Sequence, residues 1–240
     1  MLSFRPLSVF ALALLLAAVT APNASAAGGR GGTLPRPPAG TPAPSLKAPA
    51  AAPAAPAAEG FITRWLLLDP IPGNGQVSDS ATQAAAKKEY FPDQFTVVPR
   101  DSDKVTVGGA EYVWHAVESK TYNVNLFHFA YYNGKPTSNV IFWGVTVINC
   151  PQEMSGVRLA IGSNPGSVWW VNGQEVVGIY GDRQTVIDDG VSKKITLKKG
   201  PNIVRFVVVN NGGMVDCCAR FLDAQDKPVT SFTMDLLAAH

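Results

Sequence analysis

Beyond Pro92 the apolar side chains come in short runs, at Lys104–Val107, Tyr112–Val117, Tyr122–Tyr131, Val140–Ile148, Val157–Ile161, Val168–Val171, Glu175–Val177, Lys194–Leu197, Ile203–Val209 and Ala219–Leu222. Turn formers separate nearly all of them, among them Gly108-Gly109, Asn172-Gly173, Gly200-Pro201-Asn202 and Asn210-Asn211-Gly212-Gly213. Runs of this spacing, rich in β-branched and aromatic residues, mark antiparallel strands joined by tight turns. The pattern predicts an all-β protein built as an antiparallel β-sandwich. Parallel α/β architectures are excluded by the missing helices, and solenoids and propellers by the lack of a fixed longer repeat.

Asn172-Gly173 sits between two apolar runs, where a two-residue hairpin needs positive φ at both positions; asparagine tolerates it and glycine adopts it freely. Ile203–Val209 is continuous rather than alternating, so it predicts a central strand covered on both faces, with Arg205 exposed or paired. The same reading extends to Val140–Ile148. Folding is expected to begin near Gly60, with a strand over Phe61–Leu68 that stops at Asp69-Pro70-Ile71-Pro72-Gly73. One short helix is predicted over Ala81–Tyr90, with Ser78-Asp79-Ser80 offering cap oxygens.

The first quarter of the 240 residues has a different composition. Residues 1–26 carry Arg5, an unbroken apolar stretch from Val9 to Val19, and Ala24-Ser25-Ala26, the arrangement of a secretory signal peptide. The stretch is too short to span a membrane comfortably. Residues 27–59 are rich in proline, alanine and glycine, which predicts a disordered, semi-rigid tether of polyproline-like conformers. The expected organisation is therefore a signal peptide at 1–26, a linker at 27–59 and a sandwich domain at 60–240, secreted or otherwise extracytoplasmic. A net charge of +2 from balanced acids and bases leaves no electrostatic footprint for nucleic acid or for anionic lipid. Export makes a disulfide from Cys150 to Cys217 or Cys218 an expectation, against a vicinal bridge, three buried thiols or an intermolecular bond.

Ile161-Gly162-Ser163-Asn164, Val168-Trp169-Trp170-Val171-Asn172-Gly173, Asp182-Arg183, Leu197-Lys198-Lys199-Gly200-Pro201-Asn202 and Ala219-Arg220-Phe221-Leu222 follow one another in an order that resembles a known domain type. It is similar to the galactose-binding-like β-sandwich, a jelly roll appended to secreted carbohydrate-active enzymes such as acetyl xylan esterases. Trp65-Leu66-Leu67-Leu68-Asp69-Pro70 resembles the opening strand of such domains. The resemblance implies non-catalytic association with a polysaccharide or with a secreted or surface protein. Where that group has two carboxylates after Gly-Ser, this chain has Asn164-Pro165, so the sugar or cation contacts those acids make do not carry over with the resemblance.

Trp169 and Trp170 are adjacent on a predicted strand, so alternation sends their rings to opposite faces, and one of them either offers a plate for a sugar ring or is covered by a loop or by the flank of the helix. Tyr180, Asp182, Arg183 and Gln184 follow in a glycine-bounded loop from Gly178 to Gly190, where a guanidinium and a carboxylate can hydrogen-bond vicinal hydroxyls. The competing reading pairs Arg183 with Asp182 or Asp188 to fix the loop. Asp182, Asp188 and Asp189 could contribute to a structural calcium site, a weak signal without regular spacing. No nucleophile elbow, zinc-protease helix, phosphate loop or dinucleotide fingerprint is present, and His115 and His128 lie in apolar runs. The expectation is a binding domain without catalysis or cofactor. The alternatives are an extracellular protein-interaction domain and an accessory domain linked to an esterase or glycoside hydrolase.

Overall fold

The computed structural model describes residues 35–236 apart from 74, 75 and 77. The signal-peptide reading at 1–26 and the opening of the linker lie outside the described residues. In chain order the elements are β1 Leu46–Lys47, β2 Arg64–Leu68, β3 Ile71–Pro72, α1 Asp79–Lys87, β4 Lys104–Val107, β5 Ala110–Ser119, β6 Val124–Asn125, α2 Leu126–Tyr132, β7 Val140–Cys150, β8 Met154–Asn164, β9 Ser167–Val171, β10 Gln174–Ile179, β11 Gly190–Val191, β12 Ile195–Leu197, β13 Gly200–Asn210, β14 Asp216–Leu222 and β15 Thr233–Met234.

Two antiparallel sheets carry the fold. The larger runs β1-β5-β2-β7-β13-β9-β10 with β3, β4 and β15 added at its margins, and the smaller runs β11-β8-β14-β6 with β12 beside β8. The β7–β13 pair is the spine, in register from Val140 opposite Asn210 to Cys150 opposite Gly200. The Asn172-Gly173 turn joins β9 to β10 with φ of 51° and 82°, the positive values a two-residue hairpin requires.

Alternation along the strands sorts side chains into two cores. Trp65, Leu67, Trp169 and Phe206 of the large sheet face Leu159, Ile161 and Phe221 of the small one. Leu66, Leu68, Trp143, Trp170 and Val207 point to the opposite side of the large sheet, where Ala86 of α1 and Phe91 cover them. The continuous runs over β7 and β13 follow from that double coverage. Arg205, on the covered outer side, is 3% exposed and donates to the carbonyls of Phe95 (3.0 Å) and Val97 (2.6 Å).

Four expectations change. The folded unit begins at Arg36 rather than at residue 60. Leu46 enters the core, Lys47 pairs with Glu118, and Arg64 Nη1 donates to the carbonyls of Ala50 (3.3 Å) and Ala52 (2.6 Å). A proline-rich segment can serve as such a strap because its missing N–H groups matter little at a sheet edge. Second, the tail of the Tyr122–Tyr131 run is helix, not strand: Asn125 caps α2 by accepting from the His128 N–H, and Leu126, Phe129 and Ala130 bury one face. Third, Cys150, Cys217 and Cys218 are buried free thiols. Cys150 ends β7 just before β8 starts, while Cys217 lies opposite Ser163 near the far end of β8, about 30 Å of strand away. Fourth, neither Trp169 nor Trp170 is at the surface.

Candidate functional site

Trp169 is fully buried, its indole N–H donating to Ser167 Oγ at 2.8 Å and its ring 4.9 Å from Phe206 and 5.8 Å from Trp65. Trp170 is 6% exposed, stacked on Trp143 at 5.7 Å and flanked by Phe95. The rings do point to opposite faces, but the large sheet is covered on both, so no indole offers a plate. Tyr180 packs against the outer core, and burial, with the charges of Glu175 and Asp79, raises its hydroxyl pKa. Asp182 is exposed. Arg183 is ion-paired with Asp189, and Asp188 with Arg220, so the loop is closed by its own pairs, with partners other than those expected. These pairs also turn two of the three loop acids towards arginines, and among the described residues no cluster of three metal-ligating side chains occurs.

The same loop nevertheless borders a groove with an aromatic side chain, and that side chain is Tyr122. A cavity of about 810 Å³ lies between the segment 55–63, the end of β5 and Ile187 of the loop. Tyr122 is 41% exposed and leans on the buried ring of Phe61, with centroids 5.4 Å apart. Phe61 is held in turn by the Arg220 guanidinium, 5.0 Å from its ring centre. Arg220 is anchored by Asp188 and by the Glu59 carbonyl, and the Asp188 hydrogen bonds raise its pKa. Ser119 Oγ donates to the Asn123 carbonyl and Thr121 Oγ1 meets Asn123 Oδ1 at 2.9 Å, which shapes the bend presenting Tyr122. Glu59, Lys120 and Thr121 stand exposed on the rim, and the Glu118 carboxylate lies between Lys47 and Arg64, 3.0 Å from each. The signal for Tyr122 was an aromatic residue opening an apolar run, without the periodicity that would assign it to the core.

A second cavity of about 720 Å³ opens between the strap, β5 and α2, with Arg36, Asp101, His115, Tyr132 and Asn133 among its walls. Beneath it Asp69, 2% exposed, accepts from Lys135 Nζ (2.7 Å) and the Val113 N–H (3.1 Å) and pairs with His115 Nε2 (3.1 Å). Burial pushes the Asp69 carboxyl pKa up, but the hydrogen bonds from His115, Lys135 and Val113 outweigh it and hold the carboxyl below its ordinary value. A carboxylate whose native pKa lies below its unfolded one contributes stability above about pH 4, and that contribution is lost as pH falls through the native pKa. The urea midpoint is therefore expected to drop below pH 4. An Asp69→Asn variant should be less stable at pH 7 and lose less on acidification, and equal slopes for the two proteins would refute the assignment.

Among the described residues His115 and His128 do not assemble a triad. Ser45 Oγ lies 2.8 Å from Nδ1 of His128, whose pKa is lowered by burial and whose ring meets Tyr132 edge-on. The carboxylate of Asp69 belongs to His115 instead. Serine and carboxylate are thus held by different imidazoles, whereas a triad needs both on one.

No family model matches the sequence, and a comparison with curated proteins finds no match. Among solved structures, the fold is similar to a PA14 sugar-binding domain from an RTX adhesin, with a TM-score of 0.39 and 14% identity over 71% of this chain and 96% of that one. It is also similar to the PA14 domain of the MpAFP antifreeze protein, with a TM-score of 0.41 and 11% identity over 71% and 89% of the two chains. A β-glucosidase from Kluyveromyces marxianus matches with a TM-score of 0.36 and 17% identity, over 66% of this chain and 15% of that one. Likeness at this level carries no weight for function. Among the described residues no helix is long and apolar enough to cross a membrane.

Proposed function

We propose that this chain is an exported, non-catalytic β-sandwich domain that binds carbohydrate in the groove beneath Tyr122. The observation that supports this reading most is the exposed Tyr122 ring, backed by Phe61 and rimmed by carboxylate, hydroxyl and ammonium groups. An aromatic face takes the C–H side of a sugar ring, and polar groups around it hydrogen-bond the hydroxyls. Export rests on the pattern of residues 1–26, and attachment to a carbohydrate-active enzyme rests on the sequence resemblance alone. One shallow groove of this kind binds in the millimolar to micromolar range, roughly −4 to −8 kcal/mol.

Isothermal titration of the mature protein against plant and bacterial polysaccharides tests the reading. Tyr122→Ala is expected to weaken binding about tenfold, the loss of roughly 1.5 kcal/mol of ring stacking, without lowering the melting temperature by more than a few degrees. Silence of the folded wild-type protein across the panel would refute it. A second reading, a protein-interaction domain, is favoured by the exposure of Val186 (55%), Ile187 (42%) and Val191 (41%) in and beside the loop. Under that reading Val186→Asp abolishes capture of a partner and Tyr122→Ala leaves saccharide binding absent in both proteins.

A further inference from the structure

We propose that the ligand is an extended saccharide chain rather than a single sugar, lying along β5 across both cavities and over the Lys47–Glu118 ion pair; this rests on the carbohydrate reading above. The two cavities are neighbours along one strand. His115, Ala116 and Val117 wall the first, and Glu118, Ser119 and the following bend to Tyr122 wall the second. From Ala116 to Tyr122 is at most about 20 Å of chain. Lys47 lines both, with its side chain 53% exposed and its ammonium 3.0 Å from Glu118, so the two cavities meet where the two-residue β1 pairs with β5 and presents this ion pair to solvent.

Each cavity supplies the same kind of chemistry. Tyr132, half-buried against His128 and Tyr131, lines the first and the exposed Tyr122 the second, with Arg36, Asp101 and Asn133 beside the one and Glu59 and Thr121 beside the other. Volumes of about 720 and 810 Å³ each suit a ligand of drug size, and together they exceed what one sugar ring fills. The strap forms the outer side of both, and it is pinned in place: Ser45 by His128, the Ser45 carbonyl by the Lys120 N–H at 2.9 Å, the Pro44 carbonyl by Lys120 Nζ at 3.0 Å. The track is built before any ligand arrives, so a second sugar-binding position adds affinity without an ordering cost on the protein side.

The test is titration with matched short and long probes: cellobiose and cellohexaose, xylobiose and xylohexaose, and di- and hexa-galacturonate. The hexasaccharide of the recognised series is expected to bind at least about tenfold tighter than its disaccharide. Tyr132→Ala should abolish that ratio and leave disaccharide affinity within about twofold, whereas Tyr122→Ala weakens both. Because Tyr132 also contacts the His128 ring, a second variant, Asp101→Asn at an exposed position of the same cavity, is run beside it with thermal melts of both. Equal affinity for the two lengths, or a ratio that survives both substitutions in folded protein, overturns the extended track while leaving the Tyr122 groove standing. Failure of every probe at both lengths overturns the carbohydrate reading and the track with it.

Discussion

Trp169→Ala is expected to cost about 3–5 kcal/mol of stability, which for a domain of this size is a large share of the total. The indole sits at the centre of the inter-sheet core, in edge contact with Trp65, tilted against Phe206 and hydrogen-bonded to Ser167 Oγ, itself bonded to Ser163 Oγ at 2.8 Å. Removing the ring leaves a cavity among side chains that are themselves held by cross-strand pairing, so collapse around it is limited. Ser167 also loses its donor. The check is a urea unfolding curve, where the midpoint should fall with the slope unchanged. A variant that keeps its midpoint yet loses saccharide retention would mean that the indole meets ligand after all, contrary to its burial.

The second large effect is expected from Arg205→Met. Arg205 projects from the central strand β13 into the outer core, and its guanidinium reaches across to the carbonyls of Phe95 and Val97 in the segment that caps Trp143 and Trp170. Burial lowers its pKa to about 10, so the group remains cationic at neutral pH. Methionine fills much of the volume but donates nothing, leaving two carbonyls without their charged donor, a loss of about 3 kcal/mol. The damage should be local as well as global. Since Phe95 rests on the indoles of Trp143 and Trp170, release of its segment exposes them, and tryptophan emission should shift to the red at denaturant concentrations where far-ultraviolet circular dichroism is still native. Arg205→Lys should recover little, because a single ammonium cannot reproduce the two-carbonyl fork. Unchanged emission and midpoint in the methionine variant would show that the segment is held by apolar contact alone.

Much of this architecture follows from short-range information. The bursts of β-branched and aromatic residues and the turn residues between them correspond to β4, β5, β7–β10, β13 and β14, because both are consequences of backbone sterics within a few residues. The Asn172-Gly173 hairpin and the Ser78 cap, which accepts from the Ala81 N–H, belong to the same class. The α2 helix was legible in principle: Asn125 at the cap and Leu126, Phe129 and Ala130 at helical spacing were present, but a long apolar run with three aromatic residues resembles a strand when its period is not tested.

What depends on contacts between distant segments was not legible. Alternation correctly sent Trp169 and Trp170 to opposite faces, yet whether a face is bare or covered depends on where α1 and the Phe91–Val97 stretch come to rest. Cysteine pairing depended on which ends of β7, β8 and β14 meet, and the register separates Cys150 from Cys217 and Cys218 by most of a strand length. The strap is the sharpest case, since a proline-rich composition signals a chain unable to build a core of its own but says nothing about joining one built by others.

The sequence by itself therefore determined the longer strands, the turns between them, the class of fold and the both-faces burial of β7 and β13, since each of these is encoded in the side-chain period of a contiguous stretch. Only the tertiary structure decided that Tyr122 rather than an indole is the exposed aromatic surface, that Asp69 gathers His115 and Lys135, and that residues 36–59 help to wall both cavities. Those outcomes depend on side chains separated by tens of residues converging in space, and no local pattern carries that distance.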